Sequence, residues 1–240
     1  MYSERTVKEY GRIIQKFLDF VSKRIEDVGK EDVDSFLNTI NTIHAKRIAT
    51  YALRYLFKSK GLDTSIIPKI RTPYKPVIEA LNEDEVKYVV DNARSLKHKA
   101  MLALCWELGL KVGELVSLRV GDLDLNGWKC RINEGYYNIN TSWVKEVIVS
   151  YLSSYLGEKD YPLFPGRGLN TMKVSIASIT LRRCLVKAGF KCKPTAIRNG
   201  RILDYIKKGV EIEKIAELMR VKNAMGLMRY YYMGNVSRVV

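Results

Sequence analysis

The 240-residue sequence predicts a mostly α-helical protein with one small β-sheet, an α+β fold in two domains. Three features carry that expectation. Apolar residues recur at helical spacing behind capping residues through most of the chain. One stretch alternates between polar and apolar residues and turns back on itself. Three prolines, Pro68, Pro73 and Pro76, fall within nine residues and separate the front third from the rest.

Taken in order, Ser3 can cap a first helix, and Val7, Tyr10, Ile14, Phe17, Leu18 and Val21 follow at helical spacing. A shorter helix fits residues 31–40. A third spans residues 44–60 and closes at Gly61, which suits the left-handed position after a helix. Its apolar set is Ile48, Ala49, Ala52, Leu53, Leu56 and Phe57, and its other face carries Lys46, Arg47, Arg54 and Lys58. Residues 61–80 then read as an extended basic linker with Lys69, Arg71 and Lys75. The first domain is therefore expected over residues 1–74 and the second over 75–240. The second opens at Asn82-Glu83-Asp84-Glu85, a cap with Glu three residues on. Helices follow at 97–108, stopping at Gly109, and at 112–118. Residues 128–133 and 136–139 form a hairpin turning at Glu134-Gly135. Further helices fit 142–156, 171–188, 195–208 and 212–219.

Composition narrows the function. Lys and Arg number 41 against 26 Asp and Glu, a net charge of +15. Residues 1–78 carry +6, 79–181 carry −1 and 182–240 carry +10. A polyanionic partner is expected, and double-stranded DNA gripped between two basic faces is the default. No run of eighteen apolar residues exists, so no membrane helix is expected. The first residues lack the apolar core of a secretory signal, which points to a cytoplasmic protein. The only histidines are His44 and His98, and the cysteines (Cys105, Cys130, Cys184, Cys192) form no C-x-x-C pair. Neither a metal site nor another cofactor is expected, and the thiols read as reduced and structural.

Four short boxes occur in order. They are Gly109-Leu110-Lys111-Val112-Gly113-Glu114-Leu115, then Thr195-Ala196-Ile197-Arg198, then Ile215-Ala216-Glu217-Leu218-Met219-Arg220-Val221, then Met228-Arg229-Tyr230. With the helical front domain, this order resembles the tyrosine recombinase (phage integrase) family over nearly the whole chain. The family's first box is Gly-Leu-Arg-x-x-Glu-Leu, its second His-x-x-Arg, and its third segment ends Leu-Gly-His. The separations from Arg198 to Val221 and from Val221 to Tyr230 are those of the family.

The resemblance implies a helical core-binding, SAM-like DNA-binding domain followed by a recombinase-like catalytic domain. It also implies attack by a tyrosine hydroxyl on a DNA phosphodiester, giving a 3′-phosphotyrosine and a free 5′-hydroxyl without metal. Two arginines would neutralise the non-bridging oxygens, a hairpin lysine would protonate the leaving oxygen, and histidines would move protons. Here Tyr230 and Arg198 match. Lys111 stands for the first arginine and keeps its charge without the planar fork. Glu134 falls near the hairpin lysine, with Lys129 and Arg131 on the adjacent strand as replacements. Thr195 and Val221 stand for the two histidines, with Arg220 beside Val221 as a possible substitute donor. No tryptophan follows Trp143, so nothing later in the chain supplies either ring.

Each candidate also has a plainer reading. Tyr230, with Tyr231 and Tyr232 as rival nucleophiles, is alternatively a core aromatic. Lys111 begins a helix, where free N–H groups favour anions, or is simply solvated. Arg182, Arg183, Lys187, Lys191 and Lys193 contact the DNA backbone or complement a helix dipole. Arg47 and Arg54 reach a groove or are merely solvated, and Lys69 and Arg71 follow a phosphate backbone or space two domains. Val236, Val239 and Val240 pack on a neighbouring protomer, as in a homo-oligomer on DNA, or fray. Three functions compete. The first is a duplex-DNA-binding member of the family with silenced or very weak strand transfer, the second a divergent active recombinase or integrase, and the third a DNA-binding structural protein sharing only the fold.

Overall fold

The computed structural model describes residues 4–71, 78–155 and 157–234. Ser3, Pro73, Lys75, Pro76, Val236, Val239 and Val240, singled out above, lie outside the described residues. The chain divides into two compact units, Met1–Pro76 and Val77–Val240.

In the first unit three helices surround one apolar cluster: α1 (Glu4–Val21), α2 (Lys30–Asn38) and α3 (Ile43–Ser59). Phe17 of α1 meets Phe36 of α2 edge-on, with ring centroids 5.1 Å apart. Val33, Leu37, Ala49, Leu53, Phe57 and Ile67 complete the cluster. Thr42 starts α3 by accepting the Ala45 N–H at 3.2 Å. Gly61, at φ 70°, ends it, and the Leu62 N–H returns to the Phe57 carbonyl at 2.9 Å.

The second unit is built around α5 (Leu96–Glu107). Every residue from Ala100 to Glu107 is buried, as an all-round apolar sequence requires. Around it pack α4 (Glu83–Asp91), α7 (Ser142–Ser154), α8 (Val174–Lys187) and α9 (Thr195–Lys207). The predicted cap of α4 is present: Asn82 Oδ1 accepts from the Glu85 N–H, and Glu85 accepts from the Asn82 N–H. A short α6 (Val112–Ser117) leads into an antiparallel sheet of β1 (Leu123–Asp124), β2 (Lys129–Ile132) and β3 (Gly135–Asn138), in that order. A smaller cluster joins the far half of α9 to α10 (Ile212–Leu218) and α11 (Met228–Gly234).

Two details differ from expectation. The hairpin turns at Asn133-Glu134, one residue early, because Ile132 pairs with Gly135 and Asn133 takes the left-handed conformation at φ 55°. The two-residue strand β1 is too short to alternate visibly, and the sequence showed no sign of it.

One close approach fixes α9. The Leu81 N–H donates to the Ala196 carbonyl at 3.1 Å, and a Cβ at Gly200 would overlap the Leu81 carbonyl. Among the described residues no helix is long and apolar enough to cross a membrane.

Candidate active site

The site gathers where two helices end. α5 stops at Leu108 and Gly109, and α10 stops at Leu218 and Met219, leaving carbonyls with no partner inside their helices. Gly109 turns the chain at φ 54°, and a Cβ there would strike the Met219 side chain. Two arginines bridge the helix ends. Arg198, from the first turns of α9, donates to the Gly109 and Met219 carbonyls. Arg220 donates to the carbonyls of Leu218 and Leu108, both at 2.8 Å, and of Gly109 at 3.2 Å. Cations at helix C-termini oppose the negative end of the dipole, which accounts for both positions.

Arg220 reaches this place because its own backbone is left-handed, at φ 53°, directly after α10. Its guanidinium lies 4.8 Å from the centre of the Tyr137 ring on β3. It also contacts Glu114 Oε2 at 3.2 Å, while Lys111 Nζ approaches Glu114 Oε1 at 3.3 Å. Burial alone would raise the Glu114 pKa, but the Lys111 N–H, the Arg220 guanidinium and the Lys111 ammonium outweigh it and hold the carboxyl below its ordinary value. Burial, helped by Arg220 and opposed by Glu114, lowers the Arg198 guanidinium from its ordinary value.

Tyr230 is buried at 4% exposure, and its hydroxyl makes two hydrogen bonds. It donates to Asn199 Oδ1 at 2.9 Å and accepts from Arg229 Nη2 at 2.9 Å. Asn199 Nδ2 donates to the Glu79 carbonyl at 2.8 Å, which fixes the amide so that its oxygen faces the phenol. Tyr231 and Tyr232 are exposed instead.

The structure thus gathers Lys111, Arg198 and Arg220 about Glu114 and the Gly109 carbonyl, and bonds the Tyr230 hydroxyl to Asn199, the residue next to Arg198. Other predicted residues lie apart or are otherwise engaged. The Lys111 N–H is taken by Glu114 at 2.9 Å and does not await an anion. Thr195 is exposed at the start of α9, Glu134 is exposed in the hairpin turn, and Val221 packs against the apolar cluster of α9–α11. Lys129 and Arg131 alternate with the buried Cys130 and Ile132, on the sheet face opposite Tyr137, and Arg131 is bound to Asp122 at 2.7 Å. Reaching into the site from there would require the sheet to flip. Neither histidine belongs to the site: His98 lies in the first turn of α5 and His44 near the start of α3.

Of the residues expected to face DNA, Lys69, Arg71, Arg182, Arg183 and Lys193 are exposed. Arg47 and Arg54 are half-buried on α3, and Arg54 Nη2 is committed to the Ile67 carbonyl at 2.7 Å. Sequence reasoning missed Asn199, Arg229 and Tyr137. Asn199 directly follows Arg198 on a helix predicted to carry the site, a signal that was available. The Tyr137–Arg220 contact depends on a left-handed residue that no pattern announces.

A helical front unit followed by a helical unit with a small sheet is the architecture of a phage-integrase-type protein. Residues 1–65 match the model of the phage integrase N-terminal SAM-like domain, and residues 79–235 match that of the phage integrase family. The chain belongs to the phage integrase family. It is 24% identical to the tyrosine recombinase XerA of Saccharolobus solfataricus, over 91% of this chain and 79% of that protein. It is 23% identical to a tyrosine recombinase of Thermosipho africanus, over 99% and 92%. Its fold is similar to that of the XerH site-specific recombinase bound to a palindromic difH substrate, with TM-score 0.75, 14% identity, and coverage of 95% of this chain and 76% of that one. It is also similar to that of a lambda integrase dimer bound to a COC′ core site, with TM-score 0.72, 13% identity, and coverage of 94% and 91%.

Proposed function

We propose that this chain binds duplex DNA as a member of the tyrosine recombinase family, and that its strand-transfer chemistry is silenced or very weak. The observation that carries this is the surroundings of the Tyr230 hydroxyl, an amide oxygen and a guanidinium. Neither relieves a phenol of its proton at neutral pH. The family's two histidine positions, Thr195 and Val221, supply no base either.

A general acid–base group contributes about a hundred- to ten-thousandfold, and loss of an oxyanion donor costs about a hundred- to thousandfold. The groups act as a unit, so these factors do not multiply. A rate at least roughly a hundredfold below that of an intact family member follows. Binding draws on the +10 charge of residues 182–240 and on the exposed Lys69, Arg71, Arg182, Arg183 and Lys193.

A working recombinase is the second reading, favoured by Arg198 at the Gly109 carbonyl and by the bond from the Tyr230 hydroxyl to Asn199, the neighbour of Arg198. In that case Tyr230 is the nucleophile and the two cations hold the phosphate. Incubation with nicked duplexes, followed by a denaturing gel, separates the two. We expect salt-sensitive duplex binding with at most a trace of covalent adduct. Abundant adduct that disappears in Tyr230→Phe overturns silencing and establishes the second reading.

A further inference from the structure

We propose that Asn199 is a positioning residue that latches the Tyr230 hydroxyl to the chain segment at residues 79–81, and that Tyr230 turns toward a phosphate only when this latch opens. This rests on the silenced reading above and deepens it, because it names what restrains the hydroxyl and where the restraint is anchored.

The latch is a chain of three groups. The Tyr230 hydroxyl donates to Asn199 Oδ1 at 2.9 Å, and Asn199 Nδ2 donates to the Glu79 carbonyl at 2.8 Å. The second bond decides the first: with its nitrogen taken by a main-chain carbonyl, the amide has only its oxygen to offer the phenol. The anchor is itself fastened along α9. The Leu81 N–H donates to the Ala196 carbonyl at 3.1 Å, Glu79 Oε2 accepts from the Lys193 N–H at 3.4 Å, and Gly200 has no side chain to keep Leu81 away. Ile78, at the start of the same segment, packs against the cluster that holds Tyr230 together with Ile202, Met219 and Leu227. Residues 78–81 thus meet both the helix that carries Asn199 and the cluster around the phenol.

The position on the helix gives the latch its bearing on chemistry. Successive residues of a helix point about 100° apart, so Asn199 leaves α9 on a different side from Arg198. Arg198 is turned to the Gly109 and Met219 carbonyls. A hydroxyl seated on Asn199 therefore lies on the neighbouring face of α9, not on the face that carries the cation. Its oxygen also accepts from Arg229 Nη2 at 2.9 Å, and Tyr230 is 4% exposed. Two hydrogen bonds must break before that oxygen can approach phosphorus, and the Glu79 carbonyl holds the partner of one of them in place. Lifting residues 79–81 lets the amide rotate, which removes the acceptor from the phenol without moving α11.

The test compares the full chain with Asn199→Ala and Tyr230→Phe, by two measurements that need no strand transfer. In the first, tetranitromethane nitrates accessible tyrosines and peptide mass spectrometry assigns each product. Wild type should be modified at the exposed Tyr231 and Tyr232, and only slowly at Tyr230. In Asn199→Ala the rate at Tyr230 should rise roughly three- to tenfold, the factor that one net hydrogen bond is worth. Tyr151, equally buried and bonded to the Leu163 carbonyl, is the control: its rate should stay as in wild type, which tells an opened latch from general loosening. The second measurement follows exchange of the Leu81 amide proton. Coupling is reciprocal, so Tyr230→Phe, which takes the phenol from the amide, should speed that exchange by a similar factor. On the denaturing gel Asn199→Ala should raise the trace of adduct and leave it a trace, since no base is added.

A folded Asn199→Ala in which Tyr230 is nitrated no faster than in wild type overturns the proposal. Unchanged Leu81 exchange in Tyr230→Phe overturns it as well, and decides alone where Asn199→Ala does not fold or where Tyr151 accelerates with Tyr230. Abundant adduct from wild type would sink the silenced reading instead, and nitration and exchange would still judge the latch.

Discussion

Single side chains carry the sharpest expectations. Gly200 presses on the Leu81 main chain, so even the methyl group of Gly200→Ala must push two backbones apart. A loss of about 3 kcal/mol in urea unfolding is expected, near the upper end of ordinary overpacking. Tyr230→Phe removes two hydrogen bonds and leaves Asn199 Oδ1 without the phenol proton, a loss of about 1–2 kcal/mol in the same measurement. The thiols differ in accessibility. Burial pushes Cys105 and Cys130 up to about 12, whereas Cys184 and Cys192 are half-buried. A thiol reagent at pH 8 should label only Cys184 and Cys192 until denaturant is added. Glu114 gives a pH dependence of definite sign. Its folded carboxyl lies below the unfolded value, so its stabilisation is complete above the ordinary glutamate range and is lost as pH falls through the folded value. The stability gap between wild type and Glu114→Gln should be flat at neutral pH and shrink in acid.

Between elements, one buried network does most of the joining. Glu107 ends α5 and accepts from the N–H groups of Asn140 at 2.6 Å and Thr141 at 3.2 Å, capping α7 from another helix. Arg201, one turn beyond Arg198 on α9, meets it at 3.4 Å and lies 5.3 Å from the Trp106 ring. Glu107→Ala leaves the buried guanidinium with Asp204 as its one carboxylate partner among the described residues, and about 3–5 kcal/mol should be lost. The caps at Asn82 and Gly61 were legible in the sequence because they depend on neighbours within a few residues. The network was not, because Glu107 and Arg201 are 94 residues apart and each alone reads as surface charge. The hairpin was legible except for its turn, where Asn133 rather than Gly135 takes the left-handed conformation.

Across the molecule, composition and box order were enough to indicate a mostly helical chain of this family, because charge and spacing survive low identity. The arrangement of the pocket was not, since it turns on one left-handed arginine. The second unit has a core of its own. Residues 77–240 produced alone should therefore unfold in one cooperative transition, detectable by circular dichroism, and a broad non-cooperative melt would show that its stability depends on the first unit. The two helix ends at the pocket carry a last consequence. Leu108, Gly109, Leu218 and Met219 are held together by the guanidinium groups of Arg198 and Arg220. Cutting that clasp should be felt as slackening: amide protons near the end of α10 should exchange with solvent faster in Arg220→Gln than in wild type.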